Sequence, residues 1–318
     1  MRRITKPRWL LAVVITLFST PSRAQLALVG SLDVRANRVT VLDSHVYVSA
    51  DTELRIIDMS DPASPSLIGT FTASDRIYGL AATEDRVYLA CGLRGLQILD
   101  TSNPSIPTLL SVHETPGQAV SVASSGSSAL VVNLMTGLEV LDLTNPAAPT
   151  LVATEDTPGY QRDITRAGSL AAVVDQPSGV HFFRINDQIA PTILGIHPAG
   201  GTPPRSTSFG VNNRLYVVYQ RTGLIEILNT ADPSKPVLLG SFNSPGRPQY
   251  VTVNNSTLYI PTGPGGVRAV DVTDPTNPRV VDIYDTPGTA QQVAASGQHL
   301  FVADGEALVV LSTVGTHP

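Results

Sequence analysis

The sequence predicts an all-β chain folded as a seven-bladed β-propeller. Three observations carry that prediction: a repeat with a period near 42 residues, short strand-like runs inside each repeat, and no sustained helical periodicity. The repeat is easiest to see in an octet, "DMSDPASP" at 58–65, "DTSNPSIP" at 100–107 and "DLTNPAAP" at 142–149. Its first position falls at Asp58, Asp100, Asp142, Arg184, Asn229, Asp271 and, in a truncated seventh copy, Ser312, with spacings of 42, 42, 42, 45, 42 and 41. Self-similarity at this period with β-rich units is the mark of a propeller or a related array.

Residues 118–154 show the unit. "AVSVAS", "ALVVNL", "LEVLDL" and "PTLVAT" are four runs rich in Val, Leu and Ala, separated by "SGS", "MTG" and the octet. Runs of five to seven residues bounded by Gly, Pro, Ser and Asn read as strands joined by tight turns. Four short antiparallel strands make one blade of about 42 residues, and seven copies make a ring.

The octet connects the third and fourth strands of each unit. Its Asp accepts hydrogen bonds from backbone N–H groups a few residues on, and the first Pro fixes φ for the turn. The second Pro sits where the outer strand begins, and a missing N–H is tolerated there. Metal binding by the recurrent Asp is disfavoured, because neighbouring blades hold such residues far apart and Arg184, Asn229 and Ser312 replace it. The octet is expected to be structural.

The phase of the repeat predicts how the ring closes. "LALVGSLD" (26–33) matches the fourth strand, as in "PSLIGTFT" and "PVLLGSFN", whereas the last copy stops at "ALVVLS", a third strand. The segment 26–33 should therefore complete the C-terminal blade and remove two free sheet edges.

The strands "LRIID", "LQILD", "LEVLD" and "VRAVD", each followed by Asp/Asn-Pro-x-x-Pro, resemble the LVIVD-repeat family of bacterial and archaeal exported or surface proteins. The resemblance covers about residues 26–313. It implies the propeller fold and an exported or surface location, and it implies no activity. Two stretches depart from the pattern: "FFRINDQIAP" in the fourth unit and "HPAGGTPPRSTS" (197–208) before the fifth. Both lie in one sector of the ring, which is where specialisation is expected.

Residues 1–24 read as a secretory leader and 25–318 as a single propeller domain. "MRRITKPR" is basic, "WLLAVVITLF" is an apolar run too short to span a bilayer, and "STPSRA" places Ser22 and Ala24 for cleavage before Gln25. The expected location is periplasmic, secreted or cell-surface, as a monomer with no membrane span after cleavage. Cleavage removes Arg2, Arg3, Lys6, Arg8 and Arg23, leaving 16 Lys+Arg (21 less five) against 26 Asp+Glu, a net charge of −10. An acidic chain lacks the basic footprint that nucleic acid requires. Cys91, the single cysteine, permits no intrachain disulfide and is expected to be a buried small hydrophobe.

Binding chemistry is expected at the channel mouth, in the loops leading into the innermost strands. Aligned by the repeat, one slot reads Arg35, Arg76, Gln118, Tyr160, Arg205 (or Pro204), Arg247 and Thr289. Two residues further on stand Asn37, Tyr78, Val120, Arg162, Thr207, Gln249 and Gln291. The loops joining second and third strands add Arg94, Arg221 and Asp304. The candidate ligand-binding set is Arg35, Arg76, Arg94, Tyr160, Arg162, Arg205, Arg221, Arg247, Gln249 and Gln291. Guanidinium groups gathered at one mouth of an acidic protein suit a carboxylate, a sulfate, a sugar acid or an acidic loop of a partner. Ordinary solvated rim charges are the alternative.

No catalytic residue, metal ligand or cofactor is assigned. The six histidines include no HExxH, there is no GxSxG elbow and no Walker-A loop, and "GPGG" (263–266) precedes no helix. Two readings follow. The first is a non-enzymatic exported propeller that binds a protein or a cell-surface glycan through its channel face. The alternative is a lyase or hydrolase acting on an anionic sugar or lactone at the same arginines.

Overall fold

The computed structural model describes residues 26–186 and 189–313. The expected leader and its cleavage point lie outside the described residues. The described chain forms 28 strands in seven four-stranded antiparallel sheets, and no helix occurs among the described residues. In blade 1 the strands run outward as Arg38–Leu42, His45–Ala50, Glu53–Asp58 and Ser66–Thr72. Blades 2 to 6 repeat the order at 79–113, 119–155, 160–198, 206–243 and 252–284. The first strands of successive blades touch one another in a closed circuit, so they line the axis.

Blade 7 is made from both ends of the described chain. Gln292–Ser296, His299–Ala303 and Leu308–Ser312 are its inner three strands, and Ala27–Leu32 is its outermost. Ala27 pairs with Ser312 and Leu32 with Leu308. The expected closure is the one observed, and it is also packed. Leu26 is buried in the core between blades 6 and 7, and Val29 and Leu32 lie against the core between blades 7 and 1.

Each octet folds as two consecutive side-chain-capped turns. In blade 1, Asp58 Oδ1 accepts from Ser60 N (2.9 Å) and Ser60 Oγ (2.6 Å), and Asp61 Oδ1 accepts from Ala63 N (3.0 Å). The same pair recurs as Asp142 with Thr144 and Asn145 with Ala147, and as Asp271 with Thr273 and Asp274 with Thr276. Short polar side chains bonding their own backbone two residues on stabilise this geometry locally. Asn229 does the same for Ala231, so an acceptor oxygen is required and a charge is not. In blade 4 the octet is lost, and Gly179–Asn186 and Ile189–Pro198 form a longer hairpin instead.

The octet of one blade packs on the outer strand of the blade before it. A β-carbon on Gly69 would lie 2.0 Å from the Pro104 carbonyl oxygen, and one on Gly240 would lie 1.9 Å from that of Pro275. A register shift precedes the residue in both strands and swings it towards the neighbouring turn. At the equivalent position of blade 2, Ser111 Oγ donates to the Pro146 carbonyl at 2.6 Å. The apolar core is likewise divided among the blade interfaces. One cluster, for example, joins Leu54 and Ile56 of blade 1 to Val87, Leu89 and Leu99 of blade 2. Cys91 lies in that cluster, and burial pushes its thiol up to about 12.

Candidate functional site

The loops entering the innermost strands and the loops joining second to third strands share one end of the ring. Their backbones are tied together from blade to blade. Gly92 exchanges hydrogen bonds with Ala119, Leu134 N donates to Gln118 O, and Gln161 N donates to Leu134 O. Buried aspartates hold the Thr-Pro-Gly entry loops. Asp175 accepts from Gly159 N (3.1 Å), Gln161 Nε2 (2.9 Å) and Ser178 Oγ (2.8 Å). Asp304 accepts from Thr286 Oγ1 and Gly288 N, both at 2.6 Å. Burial raises the Asp304 pKa against those two hydrogen bonds. Asp304 is therefore a loop anchor, and the candidate ligands on this face are the arginines.

Those arginines do not form one ring. Arg162, Arg205 and Arg221 converge with Gln176, Gln220 and Pro203 on a groove of about 280 Å³ between blades 4 and 5. Arg162 and Arg221 are exposed, and Arg162 Nε donates to Gln176 Oε1 at 3.2 Å. Arg247, Gln249 and Gln291 line a second, smaller groove between blades 6 and 7. The remaining candidates, Arg35, Arg76, Arg94 and Tyr160, are exposed and line neither groove. Arg35 lies 3.4 Å from Asp51 with both side chains more than half exposed, a geometry that contributes little. The Arg76 guanidinium lies 5.7 Å from the Tyr78 ring centroid.

Arg205 corrects the sequence alignment. Its N–H donates to Val218 O as those of Asn37, Tyr78 and Gln291 donate to Ser49, Ala90 and Ala303. It therefore occupies the slot of Asn37, two residues deeper than Arg35, because the insertion before blade 5 displaces the register. That depth lets it reach inward, where Nη2 donates to Tyr250 Oη at 2.9 Å and the guanidinium lies over the Tyr250 ring.

One residue deeper again the inner strands carry Arg38, Gly79, Ser121, Asp163, Ser206, Tyr250 and Gln292. Among them, Arg38, Ser121, Asp163, Tyr250 and Gln292 line a central cavity of about 150 Å³. Burial raises the Asp163 pKa, while Arg205, hydrogen bonds from Thr207 and Ser121, and Arg38 act in the opposite sense. The sequence signal for this set is a polar column within otherwise apolar strands, one position deeper than the slot of Asn37 and Arg205.

Polar groups also bridge the blades near this face. His197 Nε2 lies 2.7 Å from Glu226 Oε2, which also accepts from Tyr219 Oη at 2.7 Å. Burial favours the neutral Glu226, but the bonds from His197 and Tyr219 with the His197 charge outweigh it and hold the pKa down. His181 is buried with Nε2 2.6 Å from Ser178 Oγ, and burial depresses its pKa against the opposing pull of Asp175. A histidine kept neutral in the fold contributes stability that is complete above the ordinary value near 6.5 and is lost as pH falls towards its folded value. The melting temperature should thus fall between about pH 7 and pH 5, and His181→Gln should flatten that slope. Gln97 fills the same slot in blade 2, so the replacement fits the repeat. Equal slopes for the two proteins would rule out His181 as the source.

A family model described as the LVIVD repeat matches residues 35–73, 78–115, 116–157, 245–286 and 287–311, more than half of the chain. The chain belongs to the LVIVD-repeat family. None of the matched segments covers 158–244, the LVIVD propeller's fourth and fifth blades, where the Arg162–Arg205–Arg221 groove lies. No curated protein matches the chain. Among solved structures it is similar to the β-propeller domain of Cps50 (Swd1) from Myceliophteria thermophila, with a TM-score of 0.73, 10% identity and coverage of 90% of this chain and 99% of that one. A functionally unknown protein from Desulfotomaculum acetoxidans gives 0.69, 17% identity and coverage of 82% and 89%. A protein from Lactobacillus plantarum gives 0.67, 15% identity and coverage of 84% and 87%. At these identities the likeness concerns the fold alone.

Proposed function

We propose that this LVIVD-repeat propeller is an exported, non-catalytic binding module whose channel face takes an acidic segment of a protein partner. The observation that carries the reading is the groove between blades 4 and 5, where Arg162, Arg205 and Arg221 meet and no carboxylate is among the lining residues. A planar guanidinium matches a carboxylate through two parallel hydrogen bonds, and several around one groove select for anions. The location of this groove outside the matched repeat segments supports its being a specialised feature.

A protein is favoured over a glycan by what else the same face exposes. Leu93, Met135 and Tyr160 are 78%, 66% and 50% exposed in consecutive loops of the same face. Met135 and Tyr160 flank the hydrogen-bonded pair Leu134 and Gln161. Tyr160 pairs with the groove residue Gln176, and exposed apolar and aromatic side chains on one face with an arginine site are the composition of a protein-binding surface. Export rests on the basic, apolar and small-residue pattern of residues 1–24.

The test is calorimetry with a synthetic peptide in which paired glutamates precede a leucine, alongside an oligogalacturonate. Arg162→Ala with Arg221→Ala should weaken peptide binding at least about tenfold, the scale of one lost charge-assisted hydrogen bond, without altering melting. Leu93→Ser with Met135→Ser should weaken the peptide as well. Unchanged binding in the arginine variant would return these residues to being rim charges. Oligogalacturonate binding that depends on the arginines and ignores Leu93 and Met135 would favour the glycan.

A further inference from the structure

The central cavity is separate from the rim groove, and its charges are arranged across the ring. Blades 6, 7 and 1 supply Tyr250, Gln292 and Arg38 to one side, and blades 3, 4 and 5 supply Ser121, Asp163 and Thr207 to the other. Arg38 spends its Nε–H on the Tyr78 carbonyl at 3.0 Å and lies 4.5 Å from the Tyr250 centroid. Among the described residues neither of its terminal nitrogens has a protein acceptor. The Asp163 oxygens accept one hydrogen bond each, from Ser121 Oγ (3.0 Å) and Thr207 N (3.2 Å). The two charges form no ion pair with each other. Thr207, 7% exposed, lines the same cavity, and its hydroxyl is buried without a partner.

Arg205 offsets part of the Asp163 charge from outside the cavity, but no hydrogen bond joins the two. The Arg38 fork and the Asp163 carboxylate therefore face one cavity only partly satisfied, and an occupant that completes both offsets the rest of their desolvation. A simple anion would satisfy Arg38 and meet repulsion from Asp163, and a simple cation would do the reverse. A molecule with both charges satisfies the two sides at once. We propose that the central channel is a binding site for a small zwitterion of the α-amino-acid type, with its carboxylate on the Arg38 terminal nitrogens and its ammonium on Asp163.

The cavity limits the size of that ligand. At about 150 Å³ it falls below the ~300–1,000 Å³ of sites for drug-sized molecules, which suits glycine or alanine better than an aromatic amino acid. The ammonium has Ser121 Oγ as a further acceptor beside Asp163, and the carboxylate has Gln292 beside Arg38. Arg205 does not line the cavity, but from beside the Tyr250 ring its charge also acts on Asp163.

Calorimetry on the intact propeller tests this with four probes: glycine, L-alanine, acetate and methylammonium. Glycine and alanine should bind at least tenfold more tightly than acetate or methylammonium, each of which carries one of the two charges. Arg38→Gln and Asp163→Asn should each abolish that preference, while Arg162→Ala with Arg221→Ala should leave it intact. The comparison of probes on the unmodified protein stands even if a channel variant fails to fold. Acetate binding as tightly as glycine would overturn the proposal in favour of an anion site. No binding of any probe would leave the channel to water and overturn it too.

Discussion

Deletion of residues 26–33 will give a protein that aggregates or melts far below the intact propeller. The deletion removes the whole outer strand of blade 7 and its ladder of hydrogen bonds to Leu308–Ser312, leaving that strand as an open edge. It also opens two cores at once. Leu26, 7% exposed, leaves the cluster of Tyr259, Leu300 and Leu311, and Val29 and Leu32 leave the cluster of Val46, Phe301 and Val310. Leu28, by contrast, points outward and is 56% exposed, so its loss adds little. Burial of an aliphatic side chain stabilises by roughly 1.5–3 kcal/mol, and a domain holds about 5–15 kcal/mol in all. Thermal melting and size-exclusion chromatography read the result. A melting temperature equal to that of the intact protein would refute closure by this strand.

The second large effect is expected from Gly240→Val. Its φ is not positive, so the demand at this site is space alone. A β-carbon there would sit 1.9 Å from the Pro275 carbonyl oxygen, against the ~3.3–3.6 Å of an ordinary C···O contact. The obstacle is backbone in a doubly capped turn, held by Asp271 and Asp274, and it has no rotamer by which to move away. Blades 5 and 6 would have to separate, and overpacking on that scale costs about 3 kcal/mol or more. Ser111→Val is the control, because blade 2 already accommodates a side chain at the equivalent position. Equal melting of the two valine variants would show that the outer strand and the turn are not in tight contact.

The architecture was legible because its determinants are local and repeated. An Asp and a Pro at fixed offsets specify the octet turn in the same way in every blade that has them, and the phase of that turn fixes how the ring closes. The site was legible only in part. Arg162, Arg221 and Arg247 were found in their columns, but Arg205 was placed two residues too shallow, since an insertion carries no marker of where the register resumes. Arg38, Asp163 and Tyr250 share a column across the blades, but their residue types differ from repeat to repeat and no single repeat marks them as a site. Their relation is created by the ring, which brings residues from distant repeats to one axis. The exposure of Leu28 is not legible either, because alternation along a strand does not say which face a neighbouring blade covers.

The pairing of Ala27 with Ser312 sets an order of events in the life of the chain. Of the described strands, the one synthesised first has its partner made last, so every other blade can form while this one waits with its backbone groups unpaired. Joining residues so remote in sequence is slow, because chain entropy must be lost before the contact repays it. Until then the chain carries two reactive sheet edges, one at each end, each complementary to the other edge of any second copy. Completion of the circle is therefore the step at which the molecule stops being a hazard to its neighbours.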